Sequence, residues 1–233
     1  MNHSVPAVYL NRLVYLKMTV RVKICGITQC DDALLAEELG AYAVGLVFYP
    51  QSPRYIKPED ARIISESLGP FIARVGVFVD EDPTVVAETA AIAGLTTVQL
   101  HGSENPAYLR QLSEETRGRV PLPGIIKVFR VGPDFDPEEL RRCPAGAYLL
   151  DAFEKGRYGG TGKTFDWERV LPCLHYGKII LAGGLTADNI TEALRIVKPW
   201  GVDVSSGVER KPGIKDHGKM KMFFKKIQME SLR

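Results

Sequence analysis

The stretch KIILAGGLTADNITEALRIVKPWGVDVSS, residues 178–206, holds a complete strand–helix–strand unit. Its first run, KIILAG (178–183), is aliphatic without polar alternation, as expected for a strand covered on both faces of a parallel sheet. Within 188–198, Ile190, Ala193, Leu194 and Val197 recur at i, i+3, i+4 and i+7 and form one apolar stripe. VDVSS (202–206) then opens a second strand. Two strands joined through a helix in this way read as one βα unit of a parallel sheet.

The same unit recurs upstream. The runs VRVKIC (20–25), AVGLVFY (43–49), ARVGVFV (73–79), TTVQLH (96–101), GIIKVFRV (124–131) and AYLLDA (147–152) have the same buried-strand composition. With the two runs above they begin about 26 residues apart, enough for a strand, a helix and two short loops. Ala61, Ile64 and Leu68 form a second helical stripe entered through Pro58, a residue suited to a first turn. Thr28 and Asp31 have capping-box spacing ahead of a helix expected at 31–39. Eight βα units without a linker predict a single-domain (β/α)8 TIM barrel over 19–230, with residues 1–18 as an extension outside the fold. A doubly wound open sheet would place GxGxxG after an early strand; the first run is followed by CGITQC (25–30) instead.

Composition narrows the partners. Among 233 residues, 30 Lys and Arg balance 28 Asp and Glu to a net charge of +2, with 45% hydrophobic and 25% charged residues. That is a soluble globular chain, and with neither sign collected in blocks no nucleic-acid or membrane partner is expected. No apolar run approaches the ~18 residues that span a bilayer. MNHSVPAVYLNRLVYLK (1–17) superficially suggests a signal peptide, but Asn11 and Arg12 interrupt it and no small-residue cleavage site follows. Met18 is an alternative start. The cysteines Cys25, Cys30, Cys143 and Cys173 are too few for a disulfide scaffold and lack zinc spacing, so reduced thiols in the cytoplasm and no metal are expected.

Polar residues collect at the C-terminal ends of the runs: Cys25, the SPR triplet 52–54, Asp80, His101, Asp151, Gly183 and Gly184, then Asp203, Ser205 and Ser206. In a barrel these ends share the rim where active sites are built. Gly183 and Gly184 after the seventh strand, facing Ser205, Ser206 and Gly207 after the eighth, provide exposed backbone N–H groups and hydroxyls suited to a phosphate. GGTG (159–162) reads as a substrate-covering loop rather than a second cradle, because Tyr158 occupies the position where a P-loop needs glycine. Trp167 and Trp200 are expected to pack helices onto the barrel.

The strings KICGIT (23–28), GLVFYPQSPR (45–54), VGVFVD (75–80), QLHGSE (99–104), LLDA (149–152), GGTGKTFDW (159–167), AGGLTADN (182–189), DVSSGVE (203–209) and PGIKD (212–216) resemble the phosphoribosylanthranilate isomerase family. The resemblance runs in order from about 19 to 229. It implies a cofactor-free Amadori rearrangement of a phosphorylated aminosugar in tryptophan biosynthesis, in a monomer or homodimer. It further implies Asp151 as general acid and Cys25 as general base. Neither starts in the required state: an ordinary thiol is only ~3% thiolate at pH 7, and an ordinary carboxyl ~0.1% protonated. Lys23, or a helix N-terminus near 25–28, would favour the thiolate. Arg54, with its planar fork, is expected to hold the anthranilate carboxylate in bidentate fashion. His101 is placed in the substrate pocket, and Asp203 either orients the ribose hydroxyls or caps a barrel layer.

Three other functions are compatible with a phosphate-binding barrel of this size. The histidine-pathway isomerase has paired aspartates at strands one and five, where this chain has Cys25 and Phe129-Arg130; acceptance of its substrate as a second activity stays open. A pentose-phosphate epimerase would need a His/Asp metal set. A phosphoribosyl-ligand-binding protein without turnover would have no need of both Cys25 and Asp151.

Overall fold

The computed structural model describes residues 20–116, 124–143, 145–152 and 166–232. Eight parallel strands close into a barrel in sequence order: β1 Arg21–Cys25, β2 Ala43–Val47, β3 Ala73–Phe78, β4 Thr97–Leu100, β5 Ile125–Val131, β6 Ala147–Ala152, β7 Ile179–Leu181 and β8 Gly201–Val204. The first seven fall within the aliphatic runs that predicted them; β8 starts one residue before its run, at Gly201, and pairs with β1 through Lys23 and Asp203 to shut the ring. Helices α1 Cys30–Glu38, α2 Pro58–Ser67, α3 Pro83–Ala93, α4 Pro106–Glu115, α5 Glu138–Arg142, α6 Ile190–Val197 and α7 His217–Ser231 surround it. After β6 the described crossover is a 3₁₀ segment, Trp167–Tyr176, which contains Pro172. Beyond β8 the chain adds a small antiparallel hairpin, β9 Glu209–Lys211 and β10 Ile214–Lys215.

Strand alternation sorts side chains between two cores. Val75, Ile126, Val128, Ala147, Leu149, Ile180 and Ala182 point inward and fill the barrel. The intervening residues, among them Ile24, Leu46, Leu100, Leu150 and Leu181, pack outward under the helices. The stripe on α6 behaves as its spacing predicts: Ile190, Ala193 and Val197 are buried, with Leu194 packed at the edge. Pro58 starts α2.

Two local expectations fail. Helix α1 begins at Cys30 without a side-chain cap, because the Thr28 hydroxyl is drawn away to donate to the Gly213 carbonyl on the β9–β10 turn. Trp200 does not sit in the helix layer. It packs beneath the interior core at the N-terminal end of the barrel, with the Arg21 guanidinium stacked 4.5 Å from its ring. The 1–18 extension and the GGTG loop lie outside the described residues. Among the described residues no helix is long and apolar enough to cross a membrane.

Candidate active site

At the C-terminal rim, inward alternation carries polar groups in register above the apolar core. Lys23 and Cys25 lie on one row of β1, Gln99 and His101 on the β4 row, Leu149 and Asp151 on β6, and Asp203 and Ser205 on β8. One pocket is lined by Cys25, Arg54, His101, Asp151, Gly183, Gly184, Asp203, Ser205, Ser206 and Gly207. The ten residues given a catalytic or binding role from the sequence therefore line one pocket. Asp80 does not join them: it turns through a left-handed conformation (φ 49°) and accepts a hydrogen bond from the Ser103 N–H.

Cys25 is buried beside Gly45 of β2, where a side chain would come within 2.7 Å of the sulfur; glycine leaves the thiol its space. Burial pushes the Cys25 thiol up, Lys23 pulls against that rise and Asp203 adds to it. The Lys23 ammonium donates to Asp203 at 2.8 Å. Burial works against its charge, but Asp203 and Cys25 together outweigh burial and hold Lys23 firmly protonated. The expectation of a thiol eased toward thiolate is thus corrected: Lys23 does pull in that direction, and desolvation is the stronger effect.

Across the pocket Asp151 is buried, with Oδ1 accepting from the Ala152 N–H at 2.9 Å and Oδ2 3.4 Å from His101 Nε2. The other ring nitrogen of His101 faces the Gln99 amide at 3.3 Å. His101 Nε2 thus stands next to the Asp151 carboxyl without completing a hydrogen bond to it.

The glycines are required by contact as well as by conformation. Gly183 (φ +86°) leaves no room for a side chain against Ala152 N, which a Cβ would approach to 2.6 Å, and Asp151 Oδ1 is 3.1 Å away. At Gly207 a Cβ would fall 1.9 Å from the Leu185 carbonyl. The loops after β7 and β8 are thereby pressed together. Their backbone can close around a small anion.

A model of the N-(5′-phosphoribosyl)anthranilate isomerase family matches residues 22–226. The chain belongs to that family. The N-(5′-phosphoribosyl)anthranilate isomerase of Thermotoga maritima is 47% identical over 207 residues, covering 88% of this chain and 97% of that protein. The crystal structure of phosphoribosylanthranilate isomerase from Thermus thermophilus superposes with a TM-score of 0.80 at 41% identity, covering 92% of this chain and all of that one. A further phosphoribosylanthranilate isomerase structure, solved with reduced 1-(o-carboxyphenylamino)-1-deoxyribulose 5-phosphate, gives a TM-score of 0.74 at 42% identity, over 90% of this chain and 99% of that one.

Within this phosphoribosylanthranilate isomerase barrel, one expected side chain is engaged differently. Arg54 lines the pocket, yet its Nε and Nη2 already donate to Glu209 Oε1 and Oε2 at 2.9 and 2.7 Å. The side-on edge of its fork is taken, so a substrate carboxylate is left the end-on Nη1/Nη2 edge. Sequence reasoning missed Gln99, Glu209 and Lys215. Gln99 was detectable, since a polar residue two before His101 on a buried strand must share its inward face. Glu209 and Lys215 lie past the last barrel strand, and no local periodicity marks them.

Proposed function

We propose that this pocket carries out the Amadori rearrangement of N-(5′-phosphoribosyl)anthranilate to 1-(2-carboxyphenylamino)-1-deoxyribulose 5-phosphate, with Asp151 as general acid and Cys25 as general base. The observation that supports this is the placement of one buried thiol and one buried carboxyl in a single pocket that also contains the glycine pair, the two serines and Arg54. The phosphate lies against Gly183, Gly184, Ser205, Ser206 and Gly207, and the anthranilate carboxylate meets the free edge of Arg54. Asp151 gives its proton to the furanose ring oxygen as the C1′–O bond breaks and the nitrogen lone pair forms the iminium. Cys25 thiolate then takes the C2′ proton, and those electrons flow back to nitrogen as the enolamine. Tautomerisation yields the ketose. Each proton transfer by a positioned group contributes typically ~10²–10⁴ in rate.

His101 lines the pocket beside Asp151, its Nε2 3.4 Å from Oδ2, and Asp203 serves first as the counter-ion of Lys23. We place the activity in the cytoplasm, where the four unpaired cysteines stay reduced. The test is turnover of phosphoribosylanthranilate, followed by its fluorescence loss, in purified Cys25→Ser and Asp151→Asn. Both variants should bind product and lose at least ~10²-fold in kcat. Near-normal turnover in either folded variant removes that residue from its role.

A further inference from the structure

The hairpin β9–β10 takes no part in closing the barrel, yet two of its charged side chains, Glu209 and Lys215, reach the pocket wall. Lys215 Nζ is fully buried; it donates to Glu209 Oε1 at 2.8 Å and to the Cys25 carbonyl at 2.5 Å. Glu209 holds Arg54 by two hydrogen bonds on its other side and accepts from the Gly213 N–H at 3.2 Å. One carboxylate therefore joins the backbone of β1 at Cys25 to the guanidinium that faces the pocket.

Hydrogen-bond geometry gives this cluster a direction. Glu209 is shared between Arg54 and Lys215, and burial lowers the Lys215 ammonium while Glu209 pulls it back up. Asp32 accepts from the Lys215 backbone N–H and from His217, so it is engaged on the side away from the mouth. Burial would raise Glu209, but Arg54 and Lys215 hold its carboxyl below the usual range. Because Glu209 takes Nε and Nη2 of Arg54, the guanidinium keeps only its end-on Nη1/Nη2 edge for a ligand in the pocket.

We propose that Glu209 and Lys215 are positioning residues that fix Arg54 as a receptor selective for a carboxylate and register it to Cys25, the substrate carboxylate meeting the end-on edge that Glu209 leaves open. This inference rests on the roles given to Arg54 and Cys25 above. It adds two residues and a reason for selectivity between carboxylated and uncarboxylated arylamines. Lys215 acts through the Cys25 backbone and Glu209 through the Arg54 fork, so their loss should divide differently between kcat and KM.

The test compares two substrates made by condensing ribose 5-phosphate with anthranilate or with aniline, on wild type, Glu209→Gln and Lys215→Met. Wild type is expected to prefer the anthranilate compound at least tenfold in kcat/KM. Glu209→Gln should raise KM for that compound at least tenfold, with a loss on the aniline compound at least fivefold smaller. Lys215→Met should lower kcat on both. Wild type treating the two compounds alike, or Glu209→Gln losing equally on both or on neither, overturns the inference. A wild type without turnover of the anthranilate compound would instead overturn the functional reading beneath it. If Lys215→Met does not fold, Glu209→Gln decides alone, since it keeps the shape of the side chain while turning one acceptor oxygen into a donor.

Discussion

Lys23 and Asp203 are register partners on β1 and β8, with ammonium and carboxylate 2.8 Å apart inside the seam that closes the barrel. Cys25 stands two residues above Lys23 on the same inward row, so the seam and the reactive thiol share one electrostatic environment. Lys23 draws the thiol toward ionisation and Asp203 pushes it back.

Opposite substitutions in this pair should move the thiol in opposite directions. Lys23→Met removes the cation and leaves burial and Asp203 to raise Cys25 further; Asp203→Asn removes an anion and lowers it. Alkylation of Cys25 by iodoacetamide, measured against pH, should shift its midpoint upward in the first variant and downward in the second. Each unit of upward shift should also cost about tenfold in turnover at neutral pH. Midpoints that stay together would dissociate the seam from the thiol.

The pH–rate profile has a counter-intuitive shape. The active form needs a protonated acid and an ionised thiol, the minority arrangement when the thiol titrates above the carboxyl. Between those two titrations the acid loses protons as fast as the base does, so the active fraction is constant. We expect kcat/KM to be flat across neutral pH and to fall above the raised thiol's range, while Cys25 alkylation climbs throughout. An activity that tracks alkylation would mean that no protonated acid is required.

Gly207→Ala should fail at the phosphate end. Its Cβ would lie 1.9 Å from the Leu185 carbonyl, so the loops after β7 and β8 must part. Forced overpacking costs about 1–3 kcal/mol, or roughly 5- to 150-fold if it falls on binding. Competition by ribose 5-phosphate, measured as Ki, should weaken by that factor. Gly183→Ala, which presses on Ala152 and Asp151, should lose kcat as well.

A second buried ion pair sets stability rather than chemistry. Lys127 Nζ lies 2.6 Å from Glu104 Oε2, and Glu104 also accepts from the Asp80 and Gly102 N–H groups. Lys127→Met strands that carboxylate, an error of about 3–5 kcal/mol. In a barrel of this size the melting temperature should fall by about 10 °C. Adding Glu104→Gln should restore part of the loss, because the two residues share one interaction.

The barrel was legible because each strand is buried on both faces and shows as an unbroken aliphatic run, as in VRVKIC and KIILAG. The rim was legible because those runs end in Cys25, His101 and Asp151, so chain direction alone locates the reactive groups. What escaped has a common cause. Thr28 abandons α1 for Gly213, Arg54 is held by Glu209, and Cys25 is capped by Lys215, each through a contact between chain segments more than 150 residues apart. Sequence spacing carries no trace of such pairs. Trp200 escaped for a related reason: it follows a helix, but barrel closure places it beneath the interior core.

The hairpin that reaches back from the end of the chain to its beginning also sets a timetable. Contacts such as Lys215 to Cys25 and Lys23 to Asp203 close loops of 180 to 190 residues, among the longest the molecule makes. Long closures form late, after local units have already condensed. On the ribosome, β1 and its thiol emerge early and wait for β8 and the hairpin before the pocket wall exists. A chain stalled short of residue 215 would hold most of its barrel strands and none of its finished chemistry, so the substrate meets a working site only after nearly the whole protein has been made.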